Sequence, residues 1–534
     1  MIKLYRYVWL TLLLAVIATG ILLYTKHNAK ITIHQFTKIH RQAKIQPDYN
    51  GIIIPPNIAP LNFMVMQEGK QYYVKIYSKQ GEPIEVSSKT AKIIIPNRSW
   101  SKLLNINRGR EIYYDVFVQN RNNQWRLFNT ISNKIANEDI DKYLVYRKMH
   151  PTYTHSQGPM GVYQRNLSTF EENVILDNSF YGVTCLNCHA FYKNNPAKML
   201  LGVRSYEGPK PGTLLTDDGE PKKIDAKFGY TSWHPSGKLA VYCINNLPMY
   251  FHLRSSRDEV RDTINLDSAM AYYLADEQVI KTAPQLSRKD RLENWPAWAP
   301  DGKYLYFCSA PMLWPLPSQM KVYPPKQRDQ VKYDLMRISY DLQNDKWGQL
   351  ETLISAQDAG GLSIAMPHIS PDGRWLLFCM FDYGYFPPWK QNSDLYIIDL
   401  EKAEQSGIFE PRRLEINSNQ SEAWQNWSSN SRWIVFSSKR LHGTFTRSYI
   451  SFVDTLGNVS RPMLLPQKDP DFYNGCLLAY NTPEFISTTI KHVKGELAQV
   501  YRDSDMIKVD MPITMATPQT DTTYKQPSLW RDRE

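Results

Sequence analysis

The chain has 534 residues and a mass of 62.2 kDa, more than one ordinary hydrophobic core supports, so we expect several domains or one large repeat architecture. A hydrophobic content of 42% and an aromatic content of 13% exclude a disordered chain. The formal charge of +11 invites a nucleic-acid interpretation, but much of the excess precedes residue 47, in a stretch without Asp or Glu that flanks a hydrophobic segment: Lys3, Arg6, Lys26, Lys30, Lys38, Arg41 and Lys44. We therefore predict no nucleic-acid partner.

The hydrophobic segment, residues 7–24, reads YVWLTLLLAVIATGILLY and carries no charge. As a helix it would extend about 27 Å, enough to cross the hydrocarbon core of a bilayer. A cleaved signal peptide is the alternative, since Lys3 and Arg6 suit its positive region, but no small-residue cleavage site follows. The pattern predicts a transmembrane helix and basic stalk over residues 1–45, with the membrane as a partner.

Residues 46–149 contain short alternating or β-branched runs, such as QYYVKIYS and EIYYDVFVQ, separated by Gly, Asn and Pro. This spacing predicts a small β-sandwich domain. It resembles fibronectin type III and immunoglobulin-like modules, although no paired core cysteines support the likeness. Residues 137–149 are compatible with a short helix or with a strand.

Beyond residue 150 the sequence repeats. Four segments align: SWHPSGKLAVYC, AWAPDGKYLYFC, HISPDGRWLLFC and NWSSNSRWIVFS, which begin at residues 232, 297, 368 and 426. Each has a turn, then a basic residue and an apolar strand, and each is followed by a second hairpin-like pair. Four strands per repeat are typical of a propeller blade.

The P-D-G turn before an apolar strand resembles the TolB-like β-propeller repeat, and the likeness extends over well over half of the chain. A fifth blade is indicated by residues 198–204 and 213–224. A sixth pairs residues 160–176 with strands from about 476–490, which closes the ring with both ends of the domain. We predict an all-β fold with about six blades over residues 150–500 and a disordered tail over 501–534.

The six cysteines divide once the repeat is recognised. Cys243, Cys308 and Cys379 occupy one equivalent strand position, with Ser437 in the fourth repeat, so we expect small buried residues there and another core residue at Cys476. Cys185 and Cys188 remain, in the sequence Cys185-Leu186-Asn187-Cys188-His189. This is C-x-x-C-H, the attachment motif for c-type haem, in which two thiols form thioethers and the histidine ligates iron.

Three alternatives compete with haem. A zinc site needs four ligands, and only His150 and His155 lie near in sequence. A redox dithiol needs a βαβ setting, which the surrounding β pattern does not offer. Purely structural cysteines leave the adjacent histidine unexplained. We therefore predict one covalent haem c, and because such haem is attached outside the cytoplasm, a body in the periplasm anchored to a bacterial inner membrane.

The sequence does not identify the second axial ligand of the haem iron. The P-D-G turns lie at one face of a propeller, and we expect the C-x-x-C-H motif in a loop at the opposite face, which puts His234 on the wrong side. His252 is favoured as the distal ligand, with His155 and Met160 as alternatives and Met366 also considered. Met199 and His368 are expected to pack within blades.

These features predict a membrane-anchored periplasmic c-type cytochrome that transfers electrons to a redox or envelope protein partner. Two alternatives stay open: an envelope binding or scaffold protein that recognises a protein, peptide or glycan, with haem as a structural or sensory element, and a haem enzyme with an open iron site. No hydrolase or nucleotide-binding motif is found.

Overall fold

A computed structural model describes residues 33–151, 158–180, 184–205, 210–251, 261–314, 326–492, 494–508 and 530–531. At a few of these positions, including Asn187 and Cys188, only the backbone is described. Over the described residues no helix combines the length and apolar character that crossing a bilayer requires. The predicted membrane anchor and the inner-membrane location derived from it are corrected on this finding. The predicted span itself, residues 7–24, lies outside the described residues.

The N-terminal domain contains one large sheet, one small sheet and one helix. Its elements are β1 (Phe36–Gln42), β2 (Ile45–Gln46), β3 (Ile53–Ile54), β4 (Phe63–Val65), β5 (Gln71–Ser78), β6 (Ile84–Ser88), β7 (Lys92–Ile93), α1 (Asn97–Ile106), β8 (Glu111–Gln119), β9 (Trp125–Asn129) and β10 (Ile131–Ile135). The central strand, β8, alternates buried and exposed residues, as a sheet with one covered face requires.

Two features of this domain differ from the predicted antiparallel sandwich. Strand β1 pairs in parallel with β9, and β10 pairs in parallel with β3. Helix α1 follows Pro96 and buries Trp100, Leu103 and Leu104, whose i, i+3, i+4 spacing puts them on one helical face. This helical spacing is present in the sequence, but strand signals surround it on both sides.

Six further sheets of four strands or more follow, and we call them blades 1 to 6 in chain order. Blades 1 to 3 contain the following elements: β11 (Tyr143–Met149), β12 (Met160–Asn166) and β13 (Glu172–Asp177) in blade 1; β14 (Thr184–Tyr192), β15 (Asn195–Ser205), β16 (Gly212–Asp217) and β17 (Lys222–Ile224) in blade 2; and β18 (Thr231–Trp233), β19 (Leu239–Asn246), the loop strands β20 (Met249–Phe251) and β21 (Arg261–Thr263), β22 (Asp267–Leu274) and β23 (Val279–Lys281) in blade 3. Blades 4 to 6 contain β24 (Arg291–Trp298), β25 (Tyr304–Pro311), β26 (Asp334–Asp341) and β27 (Lys346–Ile354) in blade 4; β28 (Ser363–Ile369), β29 (Trp375–Phe381), β30 (Asp394–Asp399), α2 (Leu400–Ser406) and β31 (Arg412–Arg413) in blade 5; and β32 (Glu422–Trp427), β33 (Trp433–Ser438), β34 (Arg447–Phe452) and β35 (Met463–Leu464) in blade 6. The elements after blade 6 are α3 (Phe472–Gly475), β36 (Ala479–Ile486), α4 (Lys494–Asp503), β37 (Met506–Ile507) and β38 (Trp530–Arg531).

The blades form a closed ring around a central channel. The innermost strands contact one another in succession: β14 with β18, then β24, β28, β32 and β36. Strand β36 is the innermost strand of blade 1, where it pairs with β11, so the last blade strand completes the first blade. The ring closes where the backbone N–H of Phe191 in β14 donates to a Glu484 carboxylate oxygen in β36 at 3.3 Å. The all-β, propeller-like architecture predicted from the repeats is confirmed.

In blades 2 to 6 the two innermost strands form a hairpin, and in blades 3 to 6 the repeated turn joins them. Gly237, Gly302 and Gly373 occupy these turns with φ between +72° and +77°, a left-handed conformation that glycine adopts at little cost. In blade 6 Ser431 takes the same conformation. We call the side of the propeller that carries these turns the turn face.

The N-terminal domain packs on blade 6 and its C-terminal extension. The Tyr49 hydroxyl donates to the Leu464 carbonyl oxygen at 3.2 Å, and the Asn62 amide donates to the Lys468 carbonyl oxygen at 2.9 Å. Asp141 accepts hydrogen bonds from the backbone and hydroxyl of Ser429. One continuous hydrophobic core extends from this domain into blades 4, 5 and 6.

Two boundaries differ from the sequence prediction. Blade 1 begins with β11 at Tyr143, earlier than the predicted boundary at residue 150. Strand β37 extends blade 2 by pairing in parallel with β17, within the region predicted to be a disordered tail. Most of that tail lies outside the described residues. Cys243, Cys308 and Cys379 are buried as expected, whereas Cys476 is only partly buried.

Candidate functional site: a histidine in the wall of the central channel

The C-x-x-C-H motif lies in β14, the innermost strand of blade 2, and not in a loop as the sequence analysis expected. Strand β14 pairs with β15, and the two are joined by Lys193 and Asn194, both with positive φ, in a two-residue turn typical of a tight β-hairpin. Because this turn lacks the P-D-G pattern of the other repeats, the repeat signal did not extend to it.

A β-bulge recurs in the innermost strands. The register shifts between Leu186 and His189 in blade 2, and at the matching place in blades 4, 5 and 6. In blade 1 the shift falls between Asn481 and Glu484. Four residues inside these bulges have positive φ: Trp295, Met366, Trp424 and Thr482. A bulge bends the strand and re-aims the side chains that follow it.

The residue that follows the bulge therefore occupies one equivalent position in each blade. We call these six positions the channel ring; in blade 3, whose strand is not bulged, the position is counted back from the turn. The channel ring consists of Glu484, His189, Ser232, Ala297, His368 and Asn426, in blades 1 to 6.

Four of the six channel-ring residues border a cavity of about 80 Å³, which we call the channel cavity: His189, His368, Asn426 and Glu484. Its wall includes His189, His368 and Glu484 as well as three aromatic side chains, Tyr230, Trp295 and Trp424. This volume is well below the roughly 300–1,000 Å³ typical of pockets that bind small molecules.

The three aromatic side chains pack against each other across the channel. The Tyr230 and Trp295 rings stack with centroids 3.6 Å apart, and Trp424 meets Trp295 edge-on at 5.7 Å. Trp424 also borders a second cavity, which lies on the side away from the turn face and is lined by Arg147 and Asn481. We call the three rings the aromatic layer; of the three, Trp424 borders both cavities.

His189 is almost fully enclosed, with 1% of its side chain exposed. Its Nε2 lies 3.8 Å from a Glu484 carboxylate oxygen, while its Nδ1 is buried without a hydrogen-bond partner of ordinary geometry among the described residues. Burial lowers the pKa of His189 to about 3, and the positive charge of Arg147 adds to the effect. Burial raises the pKa of Glu484 to about 8. At neutral pH the pair is therefore mainly a neutral imidazole beside a protonated carboxyl group.

Cys185 lies four residues earlier in β14 and has a different environment. It is 3% exposed and packs in the core shared by blades 1 and 2, away from the channel cavity. Burial raises the pKa of its thiol, and the charges of Arg147 and Arg204 offset part of the rise. At Leu186, the residue after Cys185, the backbone N–H donates to the Met160 sulfur at 3.3 Å, and the carbonyl oxygen accepts from Arg147 at 3.1 Å.

The predicted site residues lie at different places relative to the channel cavity. His189 lies in the channel wall, Cys185 lies behind it, and only the backbone of Cys188 is described. Met160 lies beside β14, with its sulfur already engaged by Leu186. His155 and His252 lie outside the described residues. Met366 borders the channel cavity, but its sulfur accepts the Trp424 N–H at 3.4 Å.

His368 is the residue that the sequence analysis misplaced. It was expected to pack within a blade, yet it borders the same cavity as His189. His234, by contrast, lies at the turn face, where its ring contacts Ser236 Oγ at 2.7 Å and the Gly302 carbonyl oxygen at 3.1 Å.

The haem iron predicted from the sequence implies a metal-binding protein. Within the described ranges no group of three or more His, Cys, Asp or Glu side chains is arranged to hold a metal ion, and that broad description is corrected accordingly. A haem differs from such a site, because its iron needs only one or two protein ligands.

No known family model matches the chain, and no curated protein does. Solved structures with a similar arrangement include a luciferin-regenerating enzyme, with 12% identity over 60% of this chain and 91% of that one and a TM-score of 0.33. An oligogalacturonate lyase from Vibrio parahaemolyticus has 11% identity over 73% of this chain and 100% of that one, with a TM-score of 0.29. An apocarotenoid oxygenase from Synechocystis has 10% identity over 82% and 98%, with a TM-score of 0.34. With TM-scores this low, these neighbours carry no information about the chemistry of this chain.

Proposed function

We propose that the chain is a c-type cytochrome that transfers electrons, built on a propeller that resembles the TolB-like repeat. One haem would be held by thioethers to Cys185 and Cys188 and by the His189 imidazole on its iron. The observation that carries the proposal is the position of His189. The histidine that ends a C-x-x-C-H motif borders the channel cavity and is not packed in the interior of a blade.

The imidazole fits the role of an iron ligand. A ligating histidine must be neutral, and burial holds His189 in that form. Its buried Nδ1 makes no hydrogen bond of full geometry among the described residues, although a contact with the Thr482 backbone offsets part of the fall in the pKa of the ring. Glu484, at 3.8 Å from Nε2, is placed to restrain the ring orientation.

The Cys185 thiol fits less directly, because it is buried behind β14 and does not border the channel cavity. A thiol enclosed in a folded core is inaccessible to a reactant. The proposal therefore requires that the thioethers form while β14 is still accessible, before the blades close around it.

When bound, the haem would supply a one-electron couple. The residues of the chain would do the rest. His189 would hold the iron, and the aromatic layer of Tyr230, Trp295 and Trp424 would keep water out of one side of the channel. A redox partner would dock where the channel reaches the surface.

The test uses the full chain, produced together with c-type haem-attachment machinery. After denaturing electrophoresis we expect haem staining and an intact mass increased by one haem. The double variant Cys185→Ala/Cys188→Ala should lose both signals.

Cys243→Ser is the matched control, because a serine, Ser437, occupies the equivalent buried position in blade 6. This variant should keep its covalent haem. Wild-type protein that carries no covalent haem would refute the proposed function.

A further inference from the structure

A cavity of about 440 Å³ lies on the side of the propeller away from the turn face, and we call it the loop cavity. Three segments line it: strand β21, which blade 3 inserts, the connection from β29 to β30 in blade 5, and the connection from β31 to β32, which leads into blade 6. Both connections lie away from the turn face, because β28 and β29 are joined at that face and successive strands of blade 5 run in opposite directions. The volume falls within the roughly 300–1,000 Å³ typical of pockets that bind small molecules.

A buried ion pair fixes the shape of the loop cavity. Lys390 Nζ lies 2.9 Å from Asp262 Oδ2, and the two side chains are 3% and 4% exposed. The Tyr383 hydroxyl donates to the same oxygen at 2.9 Å, and the Thr263 N–H donates to Asp262 Oδ1 at 2.8 Å. Because breaking a buried, hydrogen-bonded ion pair is strongly unfavourable, this pair holds β21 against blade 5. The loop cavity is therefore formed before a ligand arrives, which lowers the cost of binding.

The charges that line the loop cavity nearly cancel. The buried ion pair is neutral as a whole, and Asp394 Oδ2 lies 2.7 Å from Arg413 Nε. Arg261 and Asp382, which also line the cavity, carry opposite charges. A strongly charged ligand would therefore meet repulsion as well as attraction. This balance favours an uncharged ligand.

Hydrogen-bond donors and acceptors alternate along the lining. Asp382 accepts the Tyr383 N–H through Oδ1 at 2.9 Å, and its Oδ2 makes no hydrogen bond to any described residue. The side-chain amides of Gln391, Asn392 and Asn419 each carry a donor and an acceptor, and all three residues belong to the lining. A hydroxyl group both donates and accepts, so a polyhydroxylated ligand can use groups of both kinds.

Trp389 adds an apolar surface to the loop cavity. Its ring is half-buried, the Arg261 guanidinium carbon lies 5.3 Å from its centroid, and Phe386 meets it edge-on at 4.8 Å. These contacts hold the ring in one orientation. A pyranose has C–H groups that pack against an indole, while its hydroxyl groups are left to hydrogen-bond. One aromatic ring among carboxylates and amides therefore suits a sugar.

The lining favours a saccharide over a peptide. Peptides are recognised by main-chain pairing with the edge of a sheet or by apolar pockets for their side chains. No aliphatic side chain belongs to the described lining of the loop cavity. We propose that the loop cavity binds a neutral saccharide, which packs on Trp389 and hydrogen-bonds to Asp382, Asn392 and Asn419. This inference goes beyond the proposed function and does not depend on the haem.

Isothermal titration calorimetry of the full chain tests the inference, with glucose, galactose, mannose, N-acetylglucosamine, cellobiose and maltose as the probes. We expect at least one of them to bind with a Kd of roughly 1 mM or tighter. Trp389→Ala should weaken the binding of that saccharide about tenfold, because the packing surface is lost. Asn392→Ala/Asn419→Ala is a second variant whose changed residues are exposed, so its fold is not at risk, and it should weaken binding about fivefold or more.

Trp125→Ala is the matched control, because Trp125 is a half-buried tryptophan in β9 of the N-terminal domain. It should bind the saccharide as the wild type does. Wild-type protein that binds none of the probes, or that prefers glucuronate or the tripeptide Gly-Asn-Gly to all of them, would overturn the inference. Saccharide binding that survives unchanged in both cavity variants would also overturn it, because the sugar would then bind elsewhere. Covalent haem is measured separately by mass, so these outcomes leave the proposed function intact.

Discussion

Buried carboxylates lie just before the bulges of two innermost strands. Glu293 in β24 and Glu422 in β32 are both inaccessible to solvent. Each contacts one arginine: Arg288 Nε lies 2.8 Å from Glu293, and Arg440 Nη2 lies 2.9 Å from Glu422. Burial raises the pKa of Glu293 to about 7, although Arg288 offsets part of the rise. Burial raises the pKa of Glu422 as well.

A raised carboxyl pKa makes stability depend on pH in a defined direction. Between the ordinary value of 4.5 and about 7, folded Glu293 keeps a proton that the unfolded chain releases, so the free energy of unfolding falls as pH rises through this window. Glu293→Gln cannot titrate. We expect the free energy of unfolding of Glu293→Gln, relative to that of the wild type, to rise by on the order of 2–3 kcal/mol from the lower to the upper end of this pH window.

Urea denaturation at a series of pH values measures this difference in slope, which is independent of any constant loss caused by the missing charge on residue 293. Parallel pH profiles of the two proteins would show that Glu293 is ionised throughout. Burial determines the sign of the predicted slope, because Arg288 alone would lower the pKa of Glu293 and reverse that sign.

At the scale of elements, the turn between β14 and β15 joins three blades. The Asn194 side-chain amide donates to the Trp427 carbonyl oxygen in blade 6 at 3.1 Å and to the Phe485 carbonyl oxygen in blade 1 at 2.9 Å. Its own carbonyl oxygen accepts the Ser487 N–H at 2.9 Å. Its φ of +57° is left-handed, a conformation that asparagine tolerates and alanine does not favour.

Asn194→Ala should therefore lower the free energy of unfolding by about 2–4 kcal/mol, from two lost hydrogen bonds and the cost of the left-handed backbone. Asn194→Gly separates the two causes, because it loses the hydrogen bonds but accepts the backbone conformation, and it should cost about 1–2 kcal/mol. Urea denaturation of the three proteins tests both values. Equal stability of the alanine and glycine variants would mean that the backbone conformation contributes nothing.

The same elements show how far sequence reasoning extends. The P-D-G turns predicted the innermost hairpins of blades 3, 4 and 5, because a glycine in a left-handed turn leaves a sequence signal. The position of His368 beside the channel cavity was missed for a different reason. Side chains of a regular strand alternate between two faces, but the bulge between Ala365 and His368 breaks the alternation along β28, so the facing of its residues cannot be read by twos over the whole strand.

At the scale of the whole molecule, the N-terminal domain and the propeller share one hydrophobic core. Polar contacts reinforce it: Lys92 pairs with Asp469 at 2.8 Å, and the Trp433 indole donates to the Glu138 carbonyl oxygen at 3.3 Å. Domains that share a core lose it together. We therefore expect one cooperative thermal transition, with near-ultraviolet and far-ultraviolet circular dichroism curves that coincide. Two resolved transitions in differential scanning calorimetry would instead indicate domains that unfold independently.

Because β36 completes blade 1, a newly made chain cannot finish this blade until β36 has been synthesised. The wall of the channel cavity beside His189 is supplied by Glu484, roughly 300 residues later in the sequence. At a synthesis rate of roughly 5–20 residues per second, β14 exists for roughly 15–60 seconds before the strand that encloses it has been made. During that interval no folded state can bury the motif as the finished protein does, so a ribosome slowed between the two segments should raise the yield of covalent modification at Cys185.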